Sequence, residues 1–532
     1  MQLTTATTIA SLNSAAFSLS GPGLQTSRNS STQNVAATAT TVTAAASSAY
    51  SLNLQASNVN QVPLTYDKSG LQPFNPVQVW SNNENDELSQ LLGQRNSLDG
   101  AASRFKGLGA ALIARYQATP EPYQQAVSSY VGAVSASSAV AKPEELAKAS
   151  FDKLEYHPDQ SVNLSVKLHS GSTINFSIKS NANGISVEAS GSAELGELEK
   201  KALDTIAGGL ESAVAAFFNG GHVNLDAISK FDTNVVSSVA LDIQSADSQL
   251  KFQIDQTQHQ LKINTTAGAI DITVARDNTV LPGSTSQRNQ AIQHYLAQID
   301  SASSRGHADD KLISLYKEAF TGMHKINTQN ADDNAINLNT APVDRPVFWD
   351  QSIQPLLTGL ADFDAKITGV EDASNPARLQ ETDFFNYQTS QKTQTTGGGL
   401  SGKVSQVLDS RLSAAFHEEL KTGKKPLLTE SASSQNYRYT TIDDHVTSKL
   451  VLGFEKGQLA SAHLEKTAKQ LTSVSTYELG VLRAKQNYPN SQHQVDDFRV
   501  TADRGDNTNT EALQRTRIIA QLSGKIFADF DG

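Results

Sequence analysis

The sequence predicts an α+β protein: an antiparallel sheet covered by an amphipathic helix, with flanking helical segments and a second β hairpin region. Three observations predict it. Between Ser161 and Ser190, three runs alternate apolar with polar residues and are joined by glycine-containing turns. Between Glu194 and Phe218, apolar residues recur at three- and four-residue spacing. Between Tyr437 and about Thr476, two further runs flank Glu455-Lys456-Gly457-Gln458, which has the composition of a tight turn.

Residues 1–65 are rich in Ser, Thr, Ala, Asn and Gln, and Arg28 is the one charged side chain before Asp67. Such a segment cannot bury enough apolar area to offset chain entropy, so 1–65 is expected to be a disordered low-complexity segment. From Pro63 to Trp80, Tyr66, Phe74, Val77 and Val79 provide anchors, and the prolines predict an extended path. From Glu84 to Tyr116, Leu88, Leu91, Leu92, Phe105, Leu108 and Leu112 follow a helical period, divided into two helices at Asn96 to Gly100. Pro120 and Pro122 then predict a helix from Tyr123 to about Ser135, since proline suits a first helical turn. Pro143 starts a short helix in the same way, which makes 66–150 a helical lead-in.

The unit 151–280 reads as antiparallel sheet plus helix. Val162, Leu164, Val166 and Leu168 share one face, as do Ile174, Phe176 and Ile178, with polar residues between them. The helix buries a stripe of Leu195, Leu198, Leu203, Ile206, Leu210, Val214 and Phe217 and ends at Asn219-Gly220-Gly221. Leu225, Ile228 and Phe231 predict one short helix, and strands resume at 235–243, 250–255, 261–264 and 269–274. The region 281–430 is expected to be mainly helical, with helices at 287–303, 308–325, 348–367 and 400–420. A polar loop at 327–345 and a Gln-, Thr- and Gly-rich mobile stretch at 386–399 separate them. The region 431–532 supplies the β hairpin and a C-terminal helix at 511–527 that buries Leu513, Ile518, Leu522 and Ile526.

A chain of 532 residues exceeds one compact core and predicts two or three folded units. Its net charge of −11 argues against an extended nucleic-acid surface, so no nucleic-acid partner is expected. The absence of cysteine excludes disulfides, thiolate metal sites and cysteine nucleophiles, and fits export in bacteria. No apolar run approaches the roughly 20 residues of a membrane helix. Met1 to Ser20 lacks the basic and apolar regions of a signal peptide. The chain is therefore expected to be cytoplasmic, or exported without a cleaved signal peptide.

Few motifs carry chemistry. Gly397 to Lys403 has P-loop spacing through the lysine, but Val404 replaces the hydroxyl that would reach magnesium, and no buried strand precedes it. A linker entering a helix is the expectation there. His417-Glu418-Glu419 begins like a zincin motif, yet Lys421 stands where the second histidine would fall, which leaves an exposed helix face. The acidic pairs Asp309-Asp310, Asp332-Asp333 and Asp496-Asp497 lack calcium-loop spacing and read as caps and solvated loops. No cofactor and no metal are expected.

Asp443, Asp444 and His445 are the weak catalytic candidates. In an unbroken strand Asp443 and His445 share one face, while Asp444 joins Ile442, Val446 and Leu450 on the apolar face. A buried, unpaired carboxylate is costly, so either the strand is broken here or Asp444 has a partner. A carboxylate beside a histidine can orient a base.

The stretch from Leu198 to Val214, with Leu225 to Ile243, resembles a recurring segment of an uncharacterised proteobacterial protein family without established activity. The region Tyr437 to Lys466 is similar to another part of the same proteins. The resemblance, over 190–275 and 437–475, implies a bacterial source and transfers no functional residues.

These readings lead to a bacterial non-catalytic binding or structural protein with a protein partner, exported or surface-associated. The alternatives are a hydrolase with a site near Asp443 and His445, and a cytoplasmic scaffold using the helices of 287–367. A large exposed apolar patch would favour the scaffold.

Overall fold

Period-two alternation organises the protein more widely than its sequence announces. The structure, a computed structural model, describes residues 77–82, 85–130, 143–191, 194–276, 283–326, 351–500 and 508–528. The expected disordered segment 1–65, most of the extended lead-in, the loop at 327–345 with Asp332 and Asp333, and Trp349 lie outside the described residues.

Fifteen strands form one sheet. They are β1 (Val77–Trp80), β2 (Tyr123–Tyr130), β3 (Gln160–Leu168), β4 (Thr173–Ser180), β5 (Gly184–Ser190), β6 (Val236–Gln244), β7 (Gln249–Ile254) and β8 (Gln258–Thr265). There follow β9 (Gly268–Ala275), β10 (Phe363–Gly369), β11 (Phe384–Gly398), β12 (Ser401–Glu419), β13 (Tyr437–Glu455), β14 (Gln458–Glu478) and β15 (Val481–Arg499). The order is β1-β2-β5-β4-β3-β6 and then sequential to β15. Each neighbouring pair is antiparallel, including β9 with β10, where Ile270 lies opposite Ile367 and joins the two β regions of the sequence.

The helices are α1 (Glu87–Asn96), α2 (Ala101–Phe105), α3 (Leu108–Ala118), α4 (Pro143–Tyr156), α5 (Glu197–Phe218), α6 (Thr285–Gly306), α7 (Asp310–Ile326) and α8 (Thr508–Leu522). One apolar cluster takes in Leu164 and Ile272 from the sheet, Leu112 of α3, Leu203 of α5, Ile299 of α6 and Phe320 of α7. Burying such side chains supplies the main favourable term of folding. Polar contacts set helix position. The N-terminus of α3 begins at Gly107, which has no side chain to cap it, and Glu211 of α5 accepts from Gly107 N at 2.8 Å and Ala110 N at 3.2 Å. A carboxylate there answers both orphan N–H groups and the helix dipole. Asp309 caps α7 by accepting from Leu312 N at 2.9 Å, as its acidic pair predicts.

Several expected elements are corrected. Tyr123 begins strand β2, not a helix, because Tyr123, Gln125 and Val127 turn inward at period two. The helix expected at 348–367 is a 3-10 turn at Gln351–Leu356 followed by β10. Residues 87–118 hold three helices, not two, and 225–231 form no helix but a turn at 226–229, although Leu225 and Ile228 are buried. Leu198 and Leu513 are exposed. Asp496-Asp497 lie in β15 and not in a loop.

The mobile stretch and the helix expected across 386–420 are the largest departure. They are β11 and β12, a hairpin of 15- and 19-residue strands. Thr389, Gln391, Thr393, Gln406 and Ser410 point inward and are buried, so no apolar alternation shows. They answer one another: Thr389 and Ser410 hydroxyls lie 2.9 Å apart, Gln406 donates to Thr393 at 3.0 Å, and Gln391 accepts from Thr358 at 2.7 Å. Buried polar side chains are tolerated when bonded in this way. Val404, Leu408 and Leu412 match a helical period only because their spacing of four is also a multiple of two.

Two adjacent glycines of α5 test this packing. A Cβ on Gly209 would stand 2.3 Å from Ile228 Cα, whereas one on Gly208 meets nothing within 4 Å. Gly209→Ala is expected to destabilise by about 2–3 kcal/mol through overpacking. Gly208→Ala is expected to stabilise by about 0.5–1 kcal/mol through helix propensity. Urea titration of both variants checks the opposite signs.

Candidate functional site

Strands β12 and β13 carry the polar clusters, and their pleat assigns each side chain to a face. In β13, Ile442, Asp444 and Val446 are buried, while Asp443 is exposed and His445 partly so. The strand is continuous, as Ser413 opposite Asp443 and Arg411 opposite His445 show. Asp444 is therefore a buried carboxylate with a partner. Arg305 near the end of α6 donates from Nε to Asp444 Oδ2 at 2.5 Å and from Nη2 to Oδ1 at 3.1 Å. Arg305 Nη2 also reaches Thr472 Oγ1 on β14 at 2.9 Å. The fork matches the carboxylate and ties a helix to two strands.

On the opposite, open face, His445 Nε2 lies 2.6 Å from Asp409 Oδ2, and Thr447 Oγ1 donates to the same oxygen at 3.1 Å. Arg411 donates to Asp409 Oδ1 at 3.1 Å. Burial raises the Asp409 pKa, but the bonds from His445 and Arg411 outweigh it and hold the carboxyl below its usual value. Asp443 and His445 are thus brought to one face and Asp444 to the other. Two depressions on the described surface lie elsewhere, one beside Gln290, Gln293 and His294 of α6 and one at the turns 244–249 and 264–266.

A second cluster joins residues that no sequence motif connects. At the far end of the open face, the segment 370–383 lies against β12 and β13. His417 is buried, with Nδ1 at 2.5 Å from Asp383 Oδ1 and Nε2 at 3.4 Å from Glu381 Oε2. Tyr437 donates to Glu381 Oε2 at 2.6 Å, and Asn375 donates to Tyr437 Oη at 2.9 Å. Lys425 reaches Asp372 at 2.6 Å and Asp383 at 3.4 Å. The expected exposed helix face at His417 is corrected: the residue sits in a strand, beneath a loop whose carboxylates are remote in sequence. Burial lowers the His417 pKa, but the bonds to Asp383 and Glu381 outweigh it and raise the value above normal. Burial likewise raises Asp383 and Glu381, and the bonds from His417 more than reverse it. The arrangement is a histidine between two carboxylates that favour its protonated form, a latch for the loop 370–383. Among the described residues no group of three or more His, Asp or Glu side chains is placed to hold a metal ion.

A third histidine environment has the opposite sign. His259 of β8 and His324 of α7 are buried, and His259 Nδ1 and His324 Nε2 have no hydrogen-bond partner. Burial lowers His259 to about 4, against its hydrogen bond to the Met323 carbonyl, and lowers His324 to about 3.

No protein-family model, no curated protein and no solved structure matches the chain. What fold and clusters define is a class: an open antiparallel sheet whose histidine–carboxylate contacts fasten chain segments together.

Two predictions follow from these contacts. Arg305→Ala leaves Asp444 buried without its counter-charge and is expected to cost about 3 kcal/mol, the lower end for a half-open pair. Adding Asp444→Leu should recover most of that loss, and chemical denaturation of the single and double variants measures it. The second concerns pH. A raised histidine pKa gives stability that is full below about pH 6.5 and lost as pH rises through the folded value. Lowered carboxylates give stability present above about pH 4 and lost as pH falls through their folded values. The neutral histidine pair favours folding above about pH 6.5 and loses that advantage as pH falls. His417→Asn should therefore flatten the alkaline limb of melting temperature against pH, and His324→Leu the limb below neutrality. Superimposable profiles for wild type and variants would contradict the assignments.

Proposed function

We propose that this is a bacterial non-catalytic binding protein, exported or surface-associated, that works through the exposed β14–β15 ribbon. The observation that carries the reading is the exposure of β15. Nearly all of its 19 residues are solvent-exposed, although the strand pairs with β14 along its length. Leu471, Leu479, Val481, Leu482, Tyr488 and Val495 of this ribbon are large apolar side chains facing water. A sheet edge with apolar side chains offers both unpaired backbone groups and desolvation energy to a protein partner. The composition of residues 1–65 and the lack of cysteine support export. The same reading takes α5 as the cover of the sheet between β3 and β9; contact of α5 with β6 and the burial of Leu203, Ile206 and Leu210 support it.

A hydrolase acting through Asp443 and His445 is the second reading, favoured by the 2.6 Å contact of His445 with Asp409. It requires that His445→Ala abolish turnover in an ester, amide and glycoside panel.

The binding reading is tested with a photo-crosslinking amino acid at Tyr488, and at Tyr156 as a more exposed control away from the ribbon. In the producing bacterium, adducts are expected at Tyr488 and not at Tyr156. Equal or absent adducts at both remove the reading. Comparing culture supernatant with cell lysate, for full-length and 1–60-deleted protein, tests export; equal retention of both inside intact cells removes that part.

A further inference from the structure

We infer that the partner of the β15 edge is the β15 edge of a second copy of this chain, paired antiparallel about a two-fold axis through Asn490. The inference deepens the binding reading and rests on it.

Among the described residues the sheet ends in β1, of 4 residues, at one edge and in β15, of 19, at the other. The charges of β15 are segregated along its length. Arg483 and Lys485 stand near its start, Asp496 and Asp497 near its end ahead of the terminal Arg499, and uncharged side chains with His493 fill the middle. A strand with net positive charge at one end and net negative charge at the other opposes unlike charges when it meets itself antiparallel. It opposes like charges when it meets itself parallel. Cross-strand pairs of opposite charge stabilise a ladder, and like charges directly opposite destabilise it.

Register follows from overlap. With Asn490 facing Asn490, the regular stretch from Ala484 to Asp496 is used. In that register Lys485 faces Val495 and is diagonal to Asp497 at both ends, while Arg483, the extra residue of a bulge against β14, comes beside Asp496 and Asp497. Within its own chain Arg483 already touches Glu478 at 3.4 Å, an exposed contact that leaves it accessible to a second carboxylate. Pro489 would face Ser491 and has no N–H to donate, so it deletes one ladder bond per chain near the axis. Proline is a common device against open-ended edge association. Here it divides the edge into two charged arms and leaves the association to them. A two-fold pair consumes both β15 edges, so assembly closes at two copies.

The absence of cysteine makes the register directly readable. In the full-length chain, Asn490→Cys is expected to give an intermolecular disulfide under mild oxidation, because the thiols meet at the axis. Asn487→Cys, which would face His493, is expected to give little. Independently, analytical ultracentrifugation should show a concentration-dependent dimer. Arg483→Glu should weaken it about tenfold, as should Asp497→Lys, and the double variant should restore it. The substituted side chains are exposed, and circular dichroism of each variant checks that the fold is kept. A chain monomeric at its highest soluble concentration overturns the inference, as does a disulfide forming equally well at both positions or a double variant no tighter than the singles. If adducts at Tyr488 then contain a different protein, the binding reading survives while self-pairing falls. If there are no adducts at all, both fall.

Discussion

One-sided burial of a single antiparallel sheet is the constraint on which the rest of this structure depends. Every strand pairs antiparallel, so the pleat sends alternate residues to opposite faces, and a slip of one residue would expose a whole apolar row. All the helices but α4 pack apolar residues into the same cluster as the buried face; α4, whose Phe151 and Leu154 are buried outside that cluster and whose Glu155 pairs with Lys179 of β4, covers part of the other face. The open face is left to carry polar chemistry. Asp409, His445 and Thr447, and further along the same strands His417 and Tyr437, stand on that face because their positions share one parity in β12 and β13.

Asp444, Gln391 and Gln406, polar side chains on the buried side of this division, are anchored: Asp444 by Arg305, and the two glutamines by the segment before β10. Each contact joins residues far apart in sequence, so each fixes a segment that hydrophobic burial alone would leave free to slide. A buried charge pair is weak evidence for stability on its own, since desolvation offsets much of its Coulomb energy. Its attested use is registry, and the Arg305 fork, which spans β13 and β14, fits that use.

Legibility in the sequence tracked the chemistry of the inward-facing side chains. Strands β3 to β9 and the β13–β14 hairpin were readable because Val, Ile, Leu and Phe mark their buried rows. Helices α5 to α7 were readable for the same reason at a longer period. Strands β11 and β12 were hidden because their inward row contains Thr389, Gln391, Thr393, Gln406 and Ser410, whose burial is justified only by partners across the hairpin. Strand β15 was hidden because neither of its faces is buried, so no alternation was needed. At the site level, the opposite faces of Asp443 and Asp444 were legible from parity, but Arg305 was not, being remote in sequence. His417 carries no local signal of its role: its partners Glu381 and Asp383 lie on a loop, and no local spacing connects them.

The ribbon of β14 and β15 is where folding and function meet in this account. A 19-residue strand with both faces wet gains little from its own core, and the proposed pairing is what would add to its protection. Hydrogen exchange along β15, measured as a function of protein concentration, tests this most directly. The account predicts that outward-facing amides of Val481 to Arg499 become protected as concentration rises, while those of β13 stay unchanged. Exchange along β15 that is the same in dilute and concentrated solution, and in the presence of the producing cell's envelope, would contradict it.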